Sequence, residues 1–318
     1  MKPDRSQAVL HLVAEAYIAT AKPVPSSWVA ARVGMSPATV RNDFARLEAD
    51  GLLMQPHTSA GRVPTAEGFK AYAEAFLPPE PLSAADLRGI SDRLAGLHGS
   101  ELLERLAVVA SNLTGYAVVL DVAADPNLQT LTVHMTPMSE RHLMVVAVFE
   151  NGLTRKRTLD LSPTPGAAVL EDAERTVRDL ALPISTMEAA LRERAREVGT
   201  DLRRTLRALA DAWPSLKPME RYSHGMHHLL DEPEADDPNF LRQAARQLDR
   251  VATPELAEAH EPLALRFDDH VALVSSRLGW RDCRGLLTLV GPTRMRYPST
   301  FQVAHGVGAG TPLDALSS

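Results

Sequence analysis

The chain has 318 residues, a formal charge of −6 and a single cysteine, with 45% apolar and 5% aromatic residues. That length exceeds one minimal domain and fits two or three, with an apolar share ordinary for a soluble globular protein. Lone Cys283 excludes an internal disulfide framework and fits a reducing, cytoplasmic setting, no run reaches the roughly 20 apolar residues of a membrane span, and the overall charge by itself argues against nucleic acid.

The N-terminus, MKPDRSQAVLHLVAEAYIAT, carries Asp4, His11 and Glu15 within its apolar pattern, so it is not a signal peptide. Residues 6–20 instead predict an amphipathic helix with Val9, Leu12, Val13, Ala16 and Tyr17 on one stripe. Lys22-Pro23-Val24-Pro25 breaks it, and Ser26 or Ser27 is expected to cap a short helix that Gly34 ends. In SPATVRNDFARLEADG, Ser36 is the N-cap, Pro37 takes N1, Val40, Phe44 and Leu47 make the buried stripe, and Gly51 closes the helix. Ala38, Thr39, Arg41, Asn42 and Arg46 are left facing outward. Two helices joined by three or four residues around a glycine form a helix-turn-helix pattern.

Two short strands are expected next, at 52–55 and 61–64, around the turn His57-Thr58-Ser59-Ala60. Thr65 then caps a helix whose stripe is Phe69, Tyr72, Ala73 and Phe76. Helix, helix, helix, hairpin is the order of a winged helix, and the Leu77-Pro78-Pro79-Glu80-Pro81 stretch ends it. Further on, residues 84–113 read as helical, 116–122, 130–135, 142–149 and 153–160 as strands, with Asn151-Gly152 turning the last pair. Helical periodicity returns at 166–212 and 239–258, and strands at 263–267, 271–274 and 285–290. The expected class is therefore multidomain α+β, with a helical interruption in its second part.

Placement of charge softens the overall balance. Through residue 78 there are eight Lys and Arg against seven Asp and Glu, whereas the remainder holds 26 against 33. A nucleic-acid reading thus rests on where side chains point. Arg41 and Asn42 suit base edges, Arg for guanine and Asn for adenine. Thr39 and the first amides of the Ser36-capped helix suit phosphates. The turn QPHTSAGRVPT has three readings: a nucleophile loop, a phosphate cradle or a wing. Ser59 and His57 have no nearby acid to orient a base, and the Gly-x-x-x-x-Gly-Lys pattern of a phosphate loop is absent. Thr58 and Ser59 can instead bond phosphates, Gly61 can make the turn and Arg62 can reach the minor groove, so the wing is preferred.

Elsewhere the chemistry is thin. His224, His227 and His228 lack a carboxylate or cysteine at metal-ligand spacing, and Cys283 has no histidine partner. Arg294 and Arg296 in GPTRMRY are better explained by a tight turn than by an anion site. Arg192, Arg194, Arg196, Arg203, Arg204 and Arg207 alternate with acids and predict a solvated helix face. No catalytic residue, metal or cofactor is expected, and no membrane association. Two rivals are a hydrolase built on Ser59 and His57, and a regulator that senses a small ligand in its second part.

SPATVRNDFARLEADGLLMQPHTSAGRVPTAEGFKAY closely resembles the N-terminal domain of the HrcA family of heat-inducible transcription repressors. Weaker resemblances follow in order at Ser111-Asn112-Leu113-Thr114-Gly115-Tyr116, at VVAVFENG and at GPTRMRY. The resemblance implies a winged-helix DNA-binding domain (1–78), a GAF-like α+β domain (79–160 and 222–318) and an inserted helical dimerization domain (161–221). It implies a homodimer on an inverted-repeat, double-stranded operator of chaperone genes, released on heat stress and kept active by a GroEL-type chaperonin. The DNA-contacting candidates are then Ser36, Thr39, Arg41, Asn42, His57, Thr58, Ser59, Gly61 and Arg62, with Arg46 on the outward face. Two departures stand out. Arg296 occupies a position usually acidic in the family, and the glycine-rich PSTFQVAHGVGAGTPLDALSS is not expected to form the family's C-terminal helix.

Overall fold

The computed structural model describes residues 5–57, 60–150, 152–250, 262–268, 270–279 and 284–310. Its first unit is built from α1 (Arg5–Thr20), α2 (Ser26–Val33), α3 (Pro37–Ala49), β1 (Leu53–Met54), β2 (Val63–Pro64) and α4 (Ala66–Glu74). Val9, Leu10 and Val13 of α1, Val29 of α2, and Val40, Phe44 and Leu47 of α3 close a small apolar core. Each helix carries one apolar stripe at three- and four-residue spacing, and the three stripes meet in this core. Contrary to expectation, neither Ser26 nor Ser27 caps α2, because Pro25 holds the N-cap position with no side-chain bond. The cause lies in Val24, which exchanges two backbone hydrogen bonds with Arg62 (2.8 and 2.9 Å) and keeps the chain extended up to the helix.

After α5 (Ala84–Leu94) and α6 (Gly99–Thr114), a five-stranded antiparallel sheet forms in the order β7-β3-β10-β9-β8. The strands are β3 (Ala117–Ala123), β7 (Met219–His224), β8 (Leu263–Asp268), β9 (Val271–Leu278) and β10 (Gly285–Pro292). One face packs on α4, α5, α6 and α12 (Tyr297–Gly308), through Leu120, Leu287 and Val274 among others. On the other face, α10 (Met226–Leu230) and α11 (Pro238–Asp249) cover Ala117, Val271 and Val290, with a 3-10 turn at Pro233–Asp236 between them. The expected helix over 239–258 is seen through Asp249, and 251–261 lie outside the described residues. β7 and α10 have no counterpart in the sequence reading.

A second sheet, in the order β4-β5-β6, lies elsewhere: β4 (Thr130–Pro137), β5 (His142–Phe149) and β6 (Thr154–Asp160). Its buried face packs on α7 (Ala167–Leu180), α8 (Ile184–Arg194) and α9 (Thr200–Leu216), around a fully buried Trp213 whose Nε1 donates to the Ile184 carbonyl at 3.0 Å. This core runs from Ala124 to Leu216, so the three strands belong with the helices that follow them and not with the larger sheet. The chain leaves β3 and re-enters β7 at paired neighbours, Ala123 opposite Met219, and Ala124 N–H donates to the Pro218 carbonyl at 3.1 Å. The arginines of α8 make the expected surface ion pairs, as between Arg192 and Glu188, but Arg203 and Arg204 instead donate to loop carbonyls at Val198 and Ser162.

The C-terminal expectation is overturned as far as Gly308, because that part of the glycine-rich segment is helical as α12, while 311–318 lie outside the described residues. Its glycines answer to packing. A Cβ on Gly306 would sit 2.3 Å from Leu82 Cδ1 and one on Gly308 2.1 Å from Ser276 Oγ, so the helix seats flush where a side chain would hold it off. Arg296 fits its position because its Nη2 donates to the Thr114 carbonyl at 2.8 Å and its backbone N–H to the Tyr116 hydroxyl at 2.9 Å.

Candidate nucleic-acid interface

The geometry around α3 begins at its cap. Gly34, left-handed at φ 67°, ends α2 by bonding Ala30, and Ser36 opens α3 with its Oγ accepting the Thr39 N–H at 3.1 Å. The Ser36 and Thr39 hydroxyls are themselves 2.9 Å apart. Both therefore sit at the positive end of the helix dipole, beside amides with no intrahelical partner. Pro37 starts the helix at no hydrogen-bonding loss, since its missing N–H would have been one of those orphans.

Further along, Arg41 and Asn42 are exposed one turn beyond the cap, Asn42 facing away from the buried Val40 and Phe44 and Arg41 flanking that stripe. Arg46 is exposed as well, but five residues of α-helix turn it about 140° away from Arg41. It lines a groove of about 780 Å3 with His11 and Glu15 of α1 and Ala71 and Glu74 of α4. Arg46 thus does not share a face with Arg41.

The hairpin after α3 has strands of two residues, in the register Leu53 opposite Pro64 and Met54 opposite Val63. At its tip His57 is exposed and its carbonyl accepts the Ala60 N–H at 2.8 Å, while Gln55 Nε2 reaches the Ala60 carbonyl at 3.1 Å. Thr58 and Ser59 lie outside the described residues. Gly61 follows the His57–Ala60 turn, two residues before β2, and answers to a close approach: a Cβ there would meet the Val24 carbonyl oxygen at 2.2 Å. Its missing side chain lets the hairpin and the segment before α2 run side by side.

Arg62, expected to reach the minor groove, is instead engaged within the fold. Its guanidinium donates to Glu48 Oε2 on α3 at 3.0 and 3.2 Å, and its side chain is only 18% exposed. In this structure it ties the hairpin to the last turn of α3. Two partners in this region were missed from sequence. One is Glu48, whose role needed the fold to bring it to a residue 14 positions on. The other is Arg32, stacked 3.3 Å over the Trp28 ring, which the four-residue spacing on α2 could have signalled.

The remaining candidates for chemistry are accounted for inside the fold. The His224, His227 and His228 rings contact one another at 5.6 and 4.1 Å, and burial, then the neighbouring His227, hold the His228 imidazole below its usual value. No group of three His, Cys, Asp or Glu able to hold a metal occurs among the described residues, and Cys283 lies outside them. A cavity of about 260 Å3 opens on the five-stranded sheet beside α11, floored by Val119, Asp121, Ser275 and Thr288. Its polar floor is internally paired. Asp121 bonds Arg221 through both oxygens at 2.8 Å, and the Ser275 and Thr288 hydroxyls are 3.2 Å apart. No described helix is long and apolar enough to cross a membrane.

Comparison with known proteins gives these elements a context. A family model described as the HrcA protein C terminal domain matches residues 100–301. The heat-inducible transcription repressor HrcA of Nocardioides sp. is 30% identical, over 96% of this chain and 97% of its own length. That of Symbiobacterium thermophilum is 28% identical over 97% of each chain. The Bifidobacterium longum subsp. infantis protein of the same name is 34% identical over 74% of this chain, and the match spans only 66% of that protein. A crystal structure of a hypothetical protein aligns over 99% of this chain and 97% of its own, with a TM-score of 0.56 at 22% identity, a likeness of fold alone.

Proposed function

The chain belongs to the HrcA family of heat-inducible transcription repressors, and from that premise we propose that it is a dimeric, sequence-specific repressor of chaperone operons. In this reading residues 1–78 are a winged helix, α3 enters the major groove and the β1–β2 hairpin is the wing. The observation that carries it is the exposure of Arg41 and Asn42 on a helix whose start is capped by Ser36 and whose other side is buried on α1 and α2. Side chains one turn inside a recognition helix reach base edges, while the cap end and the wing meet phosphates.

Within the interface the roles divide. Arg41 and Asn42 read bases. Ser36, Thr39 and the first α3 amides bind a phosphate, as do His57, Thr58 and Ser59 at the wing tip. Gly61 and Arg62 build the wing. Arg46, about 140° round α3 from Arg41 but one turn beyond Asn42, contributes positive charge at the edge of that face.

We read the five-stranded sheet with its helices as the GAF-like domain. The insert is drawn at 124–218 instead of 161–221, on the strength of its separate core and its adjoining ends. This insert would join two chains about a twofold axis, matching a twofold operator with one recognition helix per half-site. Heat releases the operator by unfolding a marginally stable dimer, and a GroEL-type chaperonin restores the competent form.

The test is footprinting of the purified protein on DNA upstream of the host's chaperonin genes, with and without chaperonin. Protection of an inverted repeat, lost on warming and strengthened by chaperonin, is expected. Uniform binding without a protected repeat would refute the reading.

A further inference from the structure

The DNA-binding unit is joined to the body by Leu77-Pro78-Pro79-Glu80-Pro81, a stretch outside any helix or strand. Yet the unit is not merely tethered. Arg294, between β10 and α12, is 8% exposed, and its Nη1 donates to the Ile18 carbonyl of α1 at 3.1 Å. That carbonyl belongs to the last turn of α1, where no intrahelical donor remains. The other guanidinium nitrogens hold the 3-10 turn: Nε donates to Glu234 at 2.7 Å, and Nη2 to Glu234 at 2.8 Å and to Glu232. One side chain thus joins the end of α1, the β10–α12 turn and the segment before α11.

The charges explain why an arginine is needed. Glu232 and Glu234 are negative, and the carbonyl end of α1 carries the negative pole of its helix dipole. Without the guanidinium these three would repel one another, so Arg294 turns a repulsive contact into an attractive one. Its planar fork meets three acceptors in fixed directions, as a lysine ammonium cannot. Beside it, Tyr297 stands 6.5 Å from Phe69 and 6.3 Å from Tyr72 of α4, centroid to centroid. The apolar contact supplies adhesion without direction, and the arginine supplies direction.

We propose that Arg294 is a positioning residue for operator recognition, locking α1 to the body so that a dimer presents its two α3 helices at one fixed separation. The proposal rests on the DNA-binding, dimeric reading above. It requires that the protein discriminate half-site spacing, and that this discrimination pass through a residue remote from DNA.

The experiment uses the full chain and the DNA fragment protected in footprinting, remade with half-sites moved apart and together by several base pairs, and as an isolated half-site. For the unaltered protein, affinity should fall at least about tenfold off the native spacing, since the second half-site then loses its effective concentration. In Arg294→Met the native-spacing affinity should drop about tenfold and the spacings become equal within about threefold, with half-site affinity unchanged within about twofold. Arg294→Lys, which keeps the charge but not the fork, should fall between. A spacing profile like that of the unaltered protein in Arg294→Met would overturn the proposal.

Hydrogen exchange without DNA reads the latch separately. Amides at the end of α1 should exchange faster in Arg294→Met, and unchanged exchange there would overturn the lock itself. Absence of any inverted-repeat binding by the unaltered protein is a failure of the proposed function, distinct from a lock that does not form. Should Arg294→Met not fold, the Glu232→Gln, Glu234→Gln pair loosens the same lock from the other side, with the same two readouts.

Discussion

Arg41 and Arg62 look alike in the sequence, as two basic residues in one candidate DNA-binding segment, but the fold leaves one exposed and pairs the other. Arg41 is exposed and unobstructed on α3, so Arg41→Ala should cost about 1–3 kcal/mol on the operator and relax base preference at one position per half-site. Titration against operators varied at each position checks this, and equal weakening on all of them would contradict it. Arg62 is engaged with Glu48. Its replacement by alanine should lower stability by about 1 kcal/mol or less, since the pair is partly exposed. The salt dependence of binding should not change, because a side chain that neutralises no phosphate releases no counterion. A slope shallower by about 0.9 would show that Arg62 swings onto DNA instead.

Among elements, the legible ones were those whose signals are local. Ser36, Pro37 and the Val40, Phe44, Leu47 stripe announce α3 within a dozen residues, and the alternating residues of His142–Phe149 announce β5. What remained hidden depends on distant partners. Met219–His224 reads MERYSH, with Glu220 and Arg221 in it, and becomes a strand only because β3 offers it a ladder nearly 100 residues away. Likewise α12 is masked by glycines that only the approach of Leu82 and Ser276 explains, and Arg62 looked free because Glu48 was invisible to spacing arguments. The same distinction grades two substitutions. Gly61→Ala drives a methyl into the Val24 carbonyl, a backbone atom that cannot step aside, so the Val24–Arg62 bridge should open and operator binding fall. Gly306→Ala meets the tip of a leucine that can rotate, and should cost less. Melting and amide exchange at Val24 and Arg62 separate the two, and an equal effect would be inconsistent with the packing described.

Across the whole molecule, Phe69, Tyr72 and Ala73 of α4 share one apolar core with the five-stranded sheet and α12. The N-terminal unit and the body should therefore melt together. Tyr297 is fully buried at this seam, and Tyr297→Ala should remove about 3–5 kcal/mol and split the melt into two transitions. A single sharp transition at a lower temperature would mean that the seam carries less of the cooperativity. The seam is not the only junction that matters, for the 124–218 excursion begins and ends on neighbouring, hydrogen-bonded positions. Antiparallel partners so placed can be joined by a two-residue Asn-Gly turn. The excursion is in that sense a cassette: cut out and bridged between Ala123 and Met219, it should leave a chain that still folds, as circular dichroism and sedimentation would report. Evolution could enlarge, exchange or discard such a cassette without redrawing the sheet that carries it, leaving the proposed reading head and the proposed means of pairing to diverge at separate rates.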